Sequence, residues 1–254
     1  MIHSMANELP VDSLRTSKVL TAIRGPAEGP YTCVFSDGTT DKCDHLVLAI
    51  PFTILRDVDI DPRIWNSFRP QKQMAIREMV LGDNGKLHLE FNSHAWKQER
   101  MINGHLVKGN GRSYSGPESY ISMWQADVHN PSSRGVLCNY TGGYWGRNLT
   151  ASTPFNIADK KDTNRLLGEL EHVWPGLTET YTGKALVTKW VDNPWSKGAF
   201  SSPTLGHHTT WWGAQWERES NIHFAGEPCS YEYWGYINGA IESGENVAKV
   251  IAQT

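Results

Sequence analysis

The sequence lacks a long apolar run, an excess of basic charge and every common catalytic signature. No stretch of its 254 residues reaches the roughly 18 consecutive apolar residues of a membrane span, so no membrane association is expected. Lys and Arg number 24 against 27 Asp and Glu, a formal net charge of -3, and that balance leaves no footprint for nucleic acid. The start, Met1-Ile2-His3-Ser4-Met5, has neither the basic nor the apolar region of a signal peptide. The four cysteines, Cys33, Cys43, Cys138 and Cys229, show no CxxC spacing. Free thiols in a reduced, cytoplasmic setting are the expectation. Asn139-Tyr140-Thr141 and Asn148-Leu149-Thr150 are then chance matches to the glycosylation acceptor. GxSxG, HExxH, P-loop and GxGxxG patterns are missing too. His207 and His208 would point apart in extended chain, and no carboxylate or cysteine stands near them at ligand spacing. No metal is expected. Any chemistry therefore resides in a bound cofactor or is absent.

What is present is aromatic and β-rich. Eleven tryptophans are many for this length, and large cores or ring-lined pockets both account for them. Val19–Ile23 reads as a short strand. Tyr31–Phe35 and Thr39–Cys43 form a hairpin about Ser36-Asp37-Gly38. His45–Ile50 is a continuous apolar run, of the kind a parallel sheet buries on both faces. Gln71–Val80 suits a helix with Met74, Ala75 and Met79 on one side. In Lys86-Leu87-His88-Leu89-Glu90-Phe91 the apolar residues alternate with polar ones, a half-buried strand. On that pattern alone Lys86 is a solvated charge. Gly109, Gly111 and Gly116 precede Tyr120–Gln125, and Gly135–Thr141 is a further strand. Such glycine–aromatic loops line cavities or simply turn tightly. Leu166, Leu167, Leu170 and Val173 mark an amphipathic helix over 158–173. Trp211, Trp212 and Trp216 suit packing in a short helix.

The last stretch is the most informative. Phe224-Ala225-Gly226-Glu227 places an acid behind a glycine after an apolar strand. Gly235-Tyr236-Ile237-Asn238-Gly239-Ala240-Ile241-Glu242-Ser243-Gly244 then opens a helix on small residues. The spacing gives that helix a core face of Ile237, Ala240, Ile241, Gly244, Val247, Ala248 and Ile251. Upstream, Trp190 is followed by Pro194-Trp195-Ser196-Lys197-Gly198-Ala199-Phe200. Earlier still stand Phe35-Ser36-Asp37-Gly38, Val47-Leu48-Ala49-Ile50-Pro51 and Gly85-Lys86-Leu87-His88-Leu89.

In order and spacing these segments resemble the flavin-dependent amine oxidases, which include monoamine, polyamine and L-amino-acid oxidases. The wording is most similar to the L-amino-acid oxidase branch. The resemblance covers the C-terminal half of that family, without its strand–GxGxxG–helix. It implies an α+β fold: a mixed-sheet substrate domain over 52–220, and a partial FAD-binding domain from 1–51 and 221–254. It implies FAD held non-covalently, since Ala199 stands where some members carry a flavin-linking cysteine. Gly226 and Glu227 would meet the FAD chain, with Trp195 packed near the flavin. Gly235, Tyr236, Ile237 and Ala240 would bring a helix N-terminus to the flavin, where negative charge develops on reduction. Lys86 would hold a water at flavin N5. Tyr236 and Phe200 would form two aromatic walls for the amine.

The activity so implied is oxidative deamination of an amine, in particular an L-amino acid. It consumes oxygen and gives an imine or keto acid, ammonia and hydrogen peroxide. The expected partner is a chain carrying the dinucleotide-binding half. The alternative is a non-catalytic subunit or orphan fragment that keeps the fold and binds such a partner.

Overall fold

The structure, a computed structural model, describes residues 2–102, 105–114, 120–129 and 132–254. Gly116 lies outside the described residues. The chain forms two compact units, one of residues up to Met79 with Pro203–Thr254, the other Val80–Ser202. The boundaries expected at 51/52 and 220/221 fall elsewhere than this divide. Segments 52–79 and 203–220 belong with the first unit because Phe52, Leu55, Ile64, Phe68, Ile76, Trp211 and Ala214 share one core with Ile23, Leu48 and Phe224.

In the first unit a four-stranded mixed sheet runs Thr40–Cys43, Tyr31–Phe35, Leu20–Arg24, Asp59–Ile60. The first three are antiparallel and the last is parallel to Leu20–Arg24. Its hairpin turns as expected at Asp37-Gly38, where Asp37 Oδ1 accepts from the Thr39 amide at 3.0 Å and Gly38 takes φ +80°. Leu46–Leu48 pairs in parallel with Ile222–Phe224. This strand is not buried on both faces: Val47 is 42% exposed. A parallel strand is buried on both faces only where both faces of its sheet are covered, and the face carrying Val47 is not.

Two helices of this unit turn other faces inward than their apolar spacing suggests. Pro70–Glu78 buries Lys72, Ala75 and Ile76, with Met79 just beyond, and leaves Met74 outside. The lysine goes in because carbonyl and ring partners await it there. The C-terminal helix Ile237–Ile251 buries only Gly239 and Ser243. Ile237 is 66% exposed, Ala240 and Ala248 are exposed, and Ile241, Gly244, Val247 and Ile251 are half-buried, so no residue of the expected core face is fully covered. The helix instead packs through its small residues, because a Cβ on Gly239 would stand 2.3 Å from the Tyr233 carbonyl. His207 and His208 do not point apart: they lie in a short helix, His207–Thr210, with rings stacked 5.0 Å apart. Trp211 packs on His207 at 3.8 Å, just past that helix.

The second unit is a six-stranded antiparallel sheet in the order Arg112–Tyr114, Ser122–Gln125, Gly135–Thr141, Gly85–Phe91, Tyr181–Lys189, Phe155–Ile157. The alternation in Gly85–Phe91 holds: Leu87, Leu89 and Phe91 are fully buried. They share a core with Leu166, Leu167 and Leu170 of the helix Lys160–Val173. Asp159 caps that helix, accepting from the Lys161 amide at 2.7 Å. Val173 in its last turn is not part of the buried stripe. The glycines Gly109, Gly111 and Gly135 serve packing rather than a cavity. A Cβ on each would collide with Trp96, whose indole is fully buried.

Candidate functional site

The C-terminal loop is tied to the helix that follows it. Ser243 Oγ, nearly two turns into the helix Ile237–Ile251, donates to the Gly226 carbonyl at 2.9 Å and accepts from the Gly226 amide at 3.0 Å. Ser230 Oγ accepts from the Tyr233 amide at 2.9 Å and is also bonded to Glu242. Glu227 Oε2 accepts from the Gly235 amide at 2.9 Å. Gly226 at φ +119° and Gly235 at φ +83° occupy backbone conformations that side chains disfavour, so both turns depend on glycine. Glu227, Gly235 and the helix start are thereby one assembly.

The helix start itself is open. Tyr236 is the N-cap and offers no side-chain cap. The first intrahelical bonds run from the Gly239 and Ala240 amides to the Tyr236 carbonyl. The amides of Ile237 and Asn238 have no partner among the described residues. Tyr236 is 71% exposed beside them. Free N–H donors and the positive end of a 15-residue helix, next to an exposed ring, suit the electron-rich edge of a flavin. The donor set fits the expected cofactor.

In the second unit, cross-strand pairing sets Tyr140, Lys86 and Thr188 in one row on the sheet face opposite the core. The next row is Trp124, Cys138, His88 and Leu186. Burial lowers the pKa of the His88 imidazole, with help from the Lys86 charge. Burial pushes the Cys138 thiol up to about 11. Glu90, on the same face, lies 3.5 Å from Lys184 and 3.7 Å from Arg134. The segment before Lys86 is clamped to the loop carrying Phe200: the Gly82 amide donates to the Phe200 carbonyl at 2.8 Å, and the Ala199 amide to the Gly82 carbonyl at 2.9 Å. Gly198 permits this approach, since a Cβ there would stand 2.2 Å from Leu81 Cβ. Phe200 is 39% and Trp195 63% exposed.

The expected residues thus fall into two groups. Gly226, Glu227, Gly235, Tyr236, Ile237 and Ala240 come together in the first unit. Lys86 and Phe200 are linked through Gly82 in the second, with Trp195 in the loop before Phe200. Ser243, Ser230, Trp124 and Tyr140 escaped the sequence reading. Ser243 was legible in principle, as a small polar residue one turn after Gly239 on the same helix face; Trp124 depends on pairing across three strands. Among the described residues no group of three metal-ligating side chains assembles.

These features suit a flavoprotein of the oxidoreductase class. A sequence model of flavin-containing amine oxidoreductases matches residues 1–252, and the chain belongs to that family. Its cofactor is FAD. Polyamine oxidase 4 of Oryza sativa subsp. japonica is 22% identical over 248 residues, 96% of this chain and 45% of its own length. YobN of Bacillus subtilis (strain 168), provisionally named an L-amino-acid oxidase, is 25% identical over 97% of this chain and 49% of its own. Putrescine oxidase bound to putrescine superimposes with a TM-score of 0.77 at 18% identity, over 98% of this chain and 51% of that one. The chain spans about half the length of the relatives it matches. The α+β fold agrees with expectation. No described helix is long and apolar enough to cross a membrane.

Proposed function

We propose that this chain is part of an FAD-dependent oxidase that oxidatively deaminates an amine, in particular an L-amino acid. The open start of the C-terminal helix, fixed to Glu227 and Gly226, is the observation that carries the reading. When bound, the flavin supplies the ring that accepts hydride from the carbon bearing nitrogen. The free amides of Ile237 and Asn238 stabilise negative charge beside them. Glu227 and Gly226 hold the cofactor chain, Ala240 keeps the helix flank narrow, and Trp195 packs against the flavin. Binding is non-covalent, because Ala199 offers no nucleophile. Tyr236 and Phe200 each supply an aromatic wall that desolvates and aligns the amine. Lys86 holds a water with its ammonium donors and guides the proton and oxygen steps. The products are an imine, which hydrolyses to a keto acid and ammonia, and hydrogen peroxide.

The reading includes a separate dinucleotide-binding half, as a second chain or segment. The uncovered apolar stripe of the C-terminal helix supports it, since a stripe of that width normally packs on something. A reducing, cytoplasmic setting accords with four thiols free of disulfides. The substrate preference rests on the L-amino-acid oxidase wording, against relatives named for polyamines. The test is to combine the chain with a dinucleotide-binding half and record flavin absorbance. Anaerobic bleaching is then compared between L-amino acids and polyamines. Bleaching and peroxide with L-amino acids support the reading. Bleaching by polyamines alone overturns the substrate, and no flavin uptake overturns the whole.

A further inference from the structure

Lys86 has an unusual setting for a cation on a sheet face. No carboxylate lies within ion-pair distance of it among the described residues. What faces it is a ring: Lys86 Nζ stands 5.7 Å from the centre of the Trp124 ring. Trp124 sits two strands away, opposite Cys138 in the sheet register. Cys138 is small, so the indole can lean across the intervening strand toward the ammonium. Tyr140, directly across from Lys86, backs the indole at 6.2 Å between ring centres. Both rings come from neighbouring rows of one sheet face, where register fixes their position.

The chemistry of that contact differs from an ion pair. A carboxylate would occupy the N–H donors of the ammonium. An aromatic face attracts the positive charge through its quadrupole and accepts little from the N–H groups. The three donors of Lys86 stay available for a water or a ligand. We infer that Trp124, backed by Tyr140, is a positioning residue that holds the Lys86 ammonium in place while leaving its donors free. The inference rests on the proposed role of Lys86, and it adds a residue that neither motif nor spacing singled out.

The contact can be judged without any cofactor. Reductive methylation with ¹³C-formaldehyde labels lysines, and the Lys86 signal is the one lost in Lys86→Met. In the chain itself that signal is expected to be shifted by the ring current of Trp124. It should move to the ordinary lysine position in Trp124→Leu and stay shifted in Trp124→Phe. In the flavin-loaded enzyme assembled with its other half, Trp124→Leu should slow re-oxidation by oxygen about three- to tenfold, the range that one cation–π contact supports. Reduction by substrate should be unchanged, Trp124→Phe should restore most of the rate, and Trp124→Leu should add nothing to Lys86→Met. An unmoved Lys86 signal in Trp124→Leu overturns the inference, as does equal slowing of both half-reactions. If Lys86→Met leaves re-oxidation unchanged while the signal behaves as expected, the positioning contact stands and the role given to Lys86 falls.

Discussion

Lys72 and Lys86 both face aromatic rings, and the difference between them separates the two units. Lys72 is fully buried, with Nζ 3.5 Å from the centre of the Phe224 ring and donating to the Gln215 carbonyl at 3.0 Å. Burial pulls its pKa down to about 7, against small opposing effects led by Cys229. Cys229 Sγ contacts the same carbonyl at 3.3 Å, and burial pushes that thiol up to about 12. Lys86 has a ring and, among the described residues, no carbonyl or carboxylate partner. The first lysine has its hydrogen bonding directed into the core and acts on stability. The second keeps its donors, as the proposed role requires. A ring contact alone therefore does not identify a functional lysine; what the remaining donors do decides it.

Four measurements test this contrast. Lys72→Ala removes a fully buried side chain and leaves the Gln215 carbonyl short of a donor, so a loss of about 3–5 kcal/mol in chemical denaturation is expected. A loss under 1 kcal/mol would mean that the site collapses or floods. The second concerns pH. The Lys72 pKa is lower folded than unfolded, so between about 7 and 10.5 the unfolded chain binds more protons. Stability should rise with pH across that window, by a few kcal/mol relative to Lys72→Met, which removes the titration. Parallel stability–pH curves for the two proteins would contradict this.

Third, Ser243→Ala deprives both polar groups of Gly226 of a partner, at an expected cost of about 1–3 kcal/mol. Hydrogen exchange should quicken at the Gly226 amide and not in the six-stranded sheet. Smallest of all, Lys86→Met should change stability by no more than about 0.5 kcal/mol, as at other sites outside a packed core. A large loss would place Lys86 with Lys72, among residues that hold the fold.

Strong local patterns in the sequence reached the structure intact. The alternation of Leu87, Leu89 and Phe91, the Asp37-Gly38 hairpin and the Leu166–Leu170 stripe depend on neighbours a few residues away. The site motifs about Gly226–Glu227 and Gly235–Ile237 were legible for the same reason: glycine conformation and a helix start are local. Pro70–Glu78 and Ile237–Ile251 misled because apolar spacing assumes that the most apolar face is covered. In the first, the Gln215 carbonyl and Phe224, far along the chain, draw Lys72 inward. In the second, Gly239 and Ser243 allow close approach, and the face they occupy is the one buried.

Order and short-range spacing in the sequence encode the family, the α+β class and the glycine turns of the C-terminal loop. Only the tertiary structure decided which lysine is buried, which ring faces Lys86 and which face of the last helix stays open. Those depend on groups brought together by strand register and core packing across long stretches of chain, where desolvation and the supply of hydrogen-bond partners set the outcome.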